Sequence, residues 1–171
     1  LMRWGMQPTK CLGVYQGLTH NGNPLILIDC DGLSLNQQWQ LDHDLVRWKT
    51  HPSKCIDVYK GTPIAGTKLQ LWDCEYGQSN MLWRKDGELI RFKHHPSMCL
   101  HVNTTMNSTV TTHAQISDCG VNNSAQMWST FWSTSCPATH PYAYHRFDLF
   151  DYCCSTSDDC DGNIGVNAGP R

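Results

Sequence analysis

The chain repeats itself three times at an interval of 44 residues. Cys11, Cys55 and Cys99 are each 44 apart, and each has a downstream partner, Cys30, Cys74 and Cys119, at +19, +19 and +20. Nine residues after each partner stands a tryptophan: Trp39, Trp83 and Trp128. Seven before each first cysteine an aromatic follows an arginine, as Arg3-Trp4, Arg47-Trp48 and Arg91-Phe92, and three before it lies Pro8, Pro52 or Pro96. Self-similarity at a fixed period means copies of one supersecondary unit that bury a shared core. The repeats therefore dictate the fold, and the differences between them guide the search for a site.

Each copy opens on a short strand: Leu-Met-Arg-Trp, Leu-Val-Arg-Trp or Leu-Ile-Arg-Phe. A proline turn leads to a β-type run: Cys-Leu-Gly-Val-Tyr, Cys-Ile-Asp-Val-Tyr or Cys-Leu-His-Val-Asn. A polar loop and a third apolar run follow, then a Gly/Asn/Ser loop and the strand that carries the tryptophan. No window holds a 3.6-residue period, so very little helix is expected. Four strands per repeat also describe a propeller blade, but propellers close with about four or more blades. Three such units closing a small barrel predict an all-β fold, a β-trefoil over residues 1–133. Its repeated Leu, Val, Ile and Trp positions should converge on the pseudo-threefold axis.

Residues 134–171 break the pattern. This tail holds Cys136, Cys153, Cys154 and Cys160 and the aromatic stretch Pro141-Tyr-Ala-Tyr-His-Arg-Phe. So short a segment cannot build a core unaided, which predicts a small disulfide-rich extension. Adjacent Cys153 and Cys154 do not readily pair with each other; their partners are not readable.

All ten cysteines are expected to form disulfides, the six in the repeats joining the second strand of a copy to its third. A loop of that length is worth about 3 kcal/mol per bridge in the chain-entropy model. An even, patterned cysteine set points to an oxidising compartment. Three glycosylation sequons agree, at Asn103, Asn107 and Asn122, all in the third repeat. A secreted location is the expectation. Leu1-Met2-Arg3-Trp4 already reads as the first strand, so the chain is expected to be a mature or trimmed form. A net charge of −2 with 16% charged residues offers no field for nucleic acid. No apolar run is long enough for membrane insertion.

The pattern resembles the ricin-type, B-chain-like lectin family of β-trefoils. Gln37-Gln38-Trp39 and Gln126-Met127-Trp128 match that family's Gln-x-Trp signature, and the second repeat has Met81-Leu82-Trp83 in its place. Three registered copies with cysteines in step make the resemblance specific. It implies a domain that binds galactose or N-acetylgalactosamine in a shallow pocket built within a repeat. In the family, an aspartate follows the first cysteine by two. A glutamine sits four before the second cysteine, an aromatic floor two before it, and an asparagine three before the tryptophan. The second repeat supplies Asp57, Gln70, Trp72 and Asn80. The first has Gly13, Ile26, Ile28 and Asn36, and the third has His101, Gln115, Ser117 and Ala125. The resemblance implies one conventional site, not three, and the sequons of the third repeat suggest that it carries glycan rather than binds it.

The chemistry suits those residues. Asp57 can accept hydrogen bonds from adjacent sugar hydroxyls, and Asn80 can donate and accept. Trp72 offers a flat apolar face to the C–H face of a galactoside. Its counterparts Ile28 and Ser117 do not suggest a core position, so exposure is expected for Trp72, whereas Trp39, Trp83 and Trp128 should be core. Asp57 as a turn cap and Asn80 as a turn residue are the structural alternatives.

Other motifs are weaker. His51, His94 and His95 lie beside turn prolines, and no His/Cys/Asp spacing fits zinc. Asp158-Asp159-Cys160-Asp161-Gly162-Asn163 partly matches a calcium loop, but Ser157 and Ala168 stand where the first and last ligands belong. No nucleophile elbow is present. The expectation is a non-enzymatic galactose- or GalNAc-binding lectin without cofactor or metal, acting on terminal glycans, with a homodimer as its candidate assembly. The alternatives are a module of a larger secreted protein, such as an enzyme, toxin or receptor; a trefoil akin to the cysteine-rich domains of mannose-receptor-like proteins, with sulfated-sugar or no sugar specificity; and a protein-binding trefoil using the tail's aromatics.

Overall fold

A computed structural model describes residues 1–103, 112–120 and 122–129, together with the backbone of two short strands at 142–145 and 151–154. The chain divides into two compact units, Leu1–Thr130 and Phe131–Arg171. In the second unit, the strands Tyr142–His145 and Asp151–Cys154 pair antiparallel, with Ala143 opposite Cys153. The sequon Asn107, Cys136, Cys160 and the Asp158–Asn163 segment lie outside the described residues.

The first unit is a β-trefoil of twelve strands: β1 (Arg3–Trp4), β2 (Gln7–Val14), β3 (Asn23–Asp29) and β4 (Trp39–Asp42) in repeat one; β5 (Leu45–Trp48), β6 (His51–Val58), β7 (Leu69–Asp73) and β8 (Trp83–Asp86) in repeat two; β9 (Leu89–Phe92), β10 (Met98–Val102), β11 (Ala114–Asp118) and β12 (Trp128–Ser129) in repeat three. The last strand of each copy pairs with the first of the next, β4 with β5 and β8 with β9, and β12 returns to β1. Second and third strands form the hairpins β2–β3, β6–β7 and β10–β11. At their far ends the third strands meet in a ring: Asn23 opposite Leu71, Lys68 opposite Gln115, and Ile26 opposite His113. The described helical residues form only short 3-10 turns.

The repeat signature reappears as repeated contacts. The indole N–H of Trp39 donates to Leu12 O at 3.0 Å, that of Trp83 to Ile56 O at 3.1 Å, and that of Trp128 to Leu100 O at 3.1 Å. Each buried ring thus finds the partner its polar edge requires. Leu12, Ile56 and Leu100, with Trp4, Trp48 and Phe92, fill the core around them. Arg3, Arg47 and Arg91 bind the carbonyls of Pro8, Pro52 and Pro96 at 3.2, 2.7 and 2.8 Å, which fastens the turn between first and second strands. His51 and His95 are part of that turn through their rings, which pack on Trp48 and Phe92 with centroids 4.4 and 5.2 Å apart.

The Gln-x-Trp glutamine is a loop clamp. Gln37 donates to Asp29 O at 2.6 Å and accepts from Asp31 N at 2.9 Å. Gln126 donates to Asp118 O at 2.6 Å and accepts from Gly120 N at 2.7 Å. In repeat two the sulfur of Met81 accepts from Glu75 N at 3.4 Å instead. Disulfides Cys11–Cys30, Cys55–Cys74 and Cys99–Cys119 tie the second and third strands of each hairpin.

Candidate functional site

Strand alternation decides what can meet on the β6–β7 hairpin. Asp57 lies directly opposite Gln70, and Cys55 opposite Trp72. Side chains at alternate positions share a face, so Asp57, Gln70 and Trp72 lie on one side with the Cys55–Cys74 bridge. Ile56 and Leu71 point the other way, into the barrel, and are fully buried. The 3-10 turn Ser79–Met81 brings Asn80 over the same face as Asp57.

Three of the four proposed sugar contacts therefore converge. Gln70 Nε2 donates to Asp57 Oδ1 at 2.7 Å, and Asn80 Nδ2 donates to Asp57 Oδ2. Each amide spends a donor on the carboxylate and keeps its own carbonyl oxygen. Asp57 is 1% exposed, and its burial pushes its pKa up to about 6 against an ordinary 3.8. The bonds from Gln70 and Asn80 pull it back down, and the Glu75 carboxylate adds a smaller upward push. Asp57 stands within strand β6, so it caps no turn.

Trp72 differs from the expectation of an exposed ring. It is half-buried and packs on a cluster of Leu45, Cys55 and Met81, beside Cys74 and Leu82. The disulfide and Met81 make an apolar bed that holds one part of the indole while another part meets solvent. Rigid seating of this kind lowers the entropy lost when a flat ligand stacks on the ring.

The neighbouring elements brace this hairpin. Asn21, from the loop before β3 of repeat one, donates to Asp73 at 2.8 Å and accepts from Lys54 at 2.8 Å and from Asp73 N at 2.9 Å. Lys54 and Asp73 also pair directly at 2.7 Å. Tyr76, 77% exposed, takes a hydrogen bond from Arg47 at 2.6 Å and lies under its guanidinium. Neither Asn21 nor Tyr76 has a repeat counterpart of its own kind, which is why comparison of the copies passes over them.

The equivalent place in repeat one is filled. A methyl group built on Gly13 would overlap the Ile28 side chain, with Cγ1 only 2.9 Å away, and Asn36 is folded against Gly17 at 2.5 Å from where a Cβ would stand. In repeat three His101 lies opposite Gln115, and Ser117 opposite Cys99. Among the described residues His101 Nδ1 is buried without a partner, and burial holds the ring's pKa down. Ala125 is buried and offers no polar atom beyond its backbone.

Among the described residues no group of three or more His, Cys, Asp or Glu converges as a metal site, and no helix is long and apolar enough to cross a membrane. All three copies share the tryptophan core, and the first and third share the glutamine clamp. Residues 4–128 match the family model of the ricin-type beta-trefoil lectin domain, and the chain belongs to that family.

Solved structures agree on the fold. The C-half of the earthworm R-type lectin, solved in complex with GalNAc, matches with a TM-score of 0.59 at 14% identity, over 75% of this chain and 93% of that one. The designed threefold-symmetric protein ThreeFoil matches with a TM-score of 0.62 at 20% identity, over 74% and 93%. The agglutinin from Abrus precatorius matches with a TM-score of 0.59 at 23% identity, over 80% of this chain and 48% of that one. No curated protein matches the sequence.

Proposed function

We propose that this protein is a secreted, non-catalytic lectin that binds glycans ending in galactose or N-acetylgalactosamine through one site in its second repeat. The observation that carries this reading is the Asp57 carboxylate, buried and held by Gln70 and Asn80 on the face that also carries Trp72. A carboxylate already oriented by two amides presents its remaining lone pairs in fixed directions. Asp57 is 1% exposed in the unliganded chain, so a sugar docked on Trp72 reaches the carboxylate once the part-buried Asn80 amide swings aside, and its hydroxyls then donate charge-assisted bonds that select ring orientation. The carbonyl oxygens of Gln70 and Asn80 add acceptors. The earthworm lectin half crystallised with GalNAc supports the sugar class. The disulfides of the trefoil support an oxidising, extracellular setting. The pocket uses direct contacts and one carboxylate, so binding needs no calcium, whose sites take six or more oxygens; EDTA should leave it unchanged.

A second reading is a carbohydrate-binding module of a longer protein. The Abrus agglutinin favours it, since the match covers only 48% of that chain. A glycan array probed with this chain, followed by galactose and GalNAc titration in a calorimeter, tests the main reading. Array signal confined to galactose- or GalNAc-terminated glycans is the expected result. Signal only on sulfated glycans, or none, refutes it.

A further inference from the structure

The third repeat lacks three of the four groups proposed to bind sugar, keeping only Gln115, and carries a different feature in the following loop. Counting from the second cysteine of each copy, Asn122 occupies the position of Gly77 in repeat two and Leu33 in repeat one. All three stand at the tip of the loop between the third strand and the 3-10 turn. In repeat two that turn is Ser79–Met81, which delivers Asn80 to Asp57; in repeat three it is Ser124–Gln126. The loop tip thus leads directly into the turn that carries Asn80 in repeat two and Ala125 in repeat three.

The tip faces solvent in every copy. Leu33 is 88% exposed, and Asn122 is exposed. A Cβ built on Gly77 meets nothing within 4 Å. The backbone there is left-handed in repeats two and three, with φ of 87° at Gly77 and 58° at Asn122. Glycine adopts that conformation freely, and asparagine is among the few other residues that tolerate it. Asn122 therefore keeps the turn that Gly77 makes, while adding a side-chain amide in open space. The next two residues are Asn123, whose side chain accepts from Ala125 N at 3.1 Å to start the 3-10 turn, and Ser124. Asn122-Asn123-Ser124 is thus an acceptor sequon on a surface turn, with its acceptor residue exposed. Cys119, three residues before it, is bonded to Cys99, a linkage that suits the oxidising compartment where such acceptors are used.

We propose that Asn122 carries an N-linked glycan, standing at the exposed loop tip that precedes the Ser124–Gln126 turn of the third repeat. In the transfer, Asn122 Nδ2 loses one proton and forms a bond to C1 of the first sugar. The bond from C1 to the diphosphate of a lipid-linked oligosaccharide donor breaks, and the lipid diphosphate leaves with the bonding electrons. The covalent sugar then adds a bulky, solvated group to the outer loop of repeat three. This proposal does not depend on galactose binding by repeat two.

The test is secretion of the full chain from a eukaryotic cell line, followed by peptide mapping. Amidase release of the glycan in heavy-oxygen water should convert Asn122 to labelled aspartate. An unmodified Asn122 in the secreted protein overturns the proposal. Ser124→Ala and Asn122→Gln should each remove the mass of one glycan from the intact protein, and full retention of that mass in either overturns it as well. Galactose titration of Asn122→Gln reports separately on the repeat-two site, since no residue of that site is altered.

Discussion

Gln70 donates its side-chain amide to Asp57 at 2.7 Å across directly opposed positions of neighbouring strands. Repeat one has Gly13 opposite Ile26, and repeat three has His101 opposite Gln115. Only the second copy pairs a carboxylate with an amide there, and only there does the following 3-10 turn add an asparagine amide to that carboxylate.

Asp57→Asn is expected to keep the fold and lose about 1.5–3 kcal/mol of galactose affinity, the scale of a hydrogen bond to a charged group. The substituted amide has one acceptor oxygen, and its NH₂ faces the donor of either Gln70 or Asn80. Calorimetric titration with galactose, beside a circular dichroism melt, checks both halves. Unchanged affinity in a folded variant would remove Asp57 from the site.

Acid should release the sugar. Hydroxyl donors need the ionised carboxylate, and burial sets the Asp57 pKa at about 6 in the free protein. Affinity should be level above that pH and fall roughly tenfold per unit below it, because one proton competes with the ligand. The stability effect has the opposite sense. Asp57 holds its proton more tightly folded than unfolded, so its contribution favours the folded state most at low pH. That contribution is lost as pH rises from about 4 to about 6, and changes no further above. Asp57→Asn should flatten both profiles in that window, as read by pH-series titrations and denaturant melts.

The glutamine clamp should matter to stability and not to binding. Gln126 is fully buried and satisfies both Gly120 N and Asp118 O. Gln126→Ala leaves two backbone groups without partners, at about 1–3 kcal/mol for each that stays dry. Gln126→Met copies the repeat-two solution, where sulfur accepts from Glu75 N, and should cost less. Urea melts of the two variants decide the order; equal losses would mean that the amide contributes only volume.

Much of this architecture is legible in the residues. The period of 44 fixes three copies, and the tryptophans of the core survive every other change between them. The disulfide-linked hairpins follow from the cysteine spacing. What spacing alone does not reveal is how neighbouring groups spend their hydrogen bonds. Gln70 and Asn80 look like independent sugar contacts in sequence, yet each donates to Asp57. The variation of Trp72 to Ile28 and Ser117 suggests an exposed ring, whereas the Cys55–Cys74 bridge and Met81 give it a bed. His51 and His95 read as turn residues, but their rings cover Trp48 and Phe92. Each of these depends on contacts between strands or across a turn, which a pattern of one residue type per position does not encode.

The proposed single site in repeat two implies a valence of one per chain. Ile28 fills the repeat-one position over Gly13, and repeat three has His101, Ser117 and Ala125 where Asp57, Trp72 and Asn80 stand. Galactose should titrate at one equivalent per chain. An open site for a monosaccharide makes few buried contacts, and a dissociation constant near 1 mM corresponds to about 4 kcal/mol. A monovalent chain cannot bridge two cells, so agglutination requires self-association, which can raise avidity by about 10²–10⁴ where geometry allows both sites to engage. Light scattering run beside a haemagglutination assay separates the cases. A dimer that agglutinates, and loses that activity with Trp72→Ala, fits one site per chain. A strict monomer that agglutinates red cells, with Trp72→Ala still active, would place a second working site in one of the other repeats.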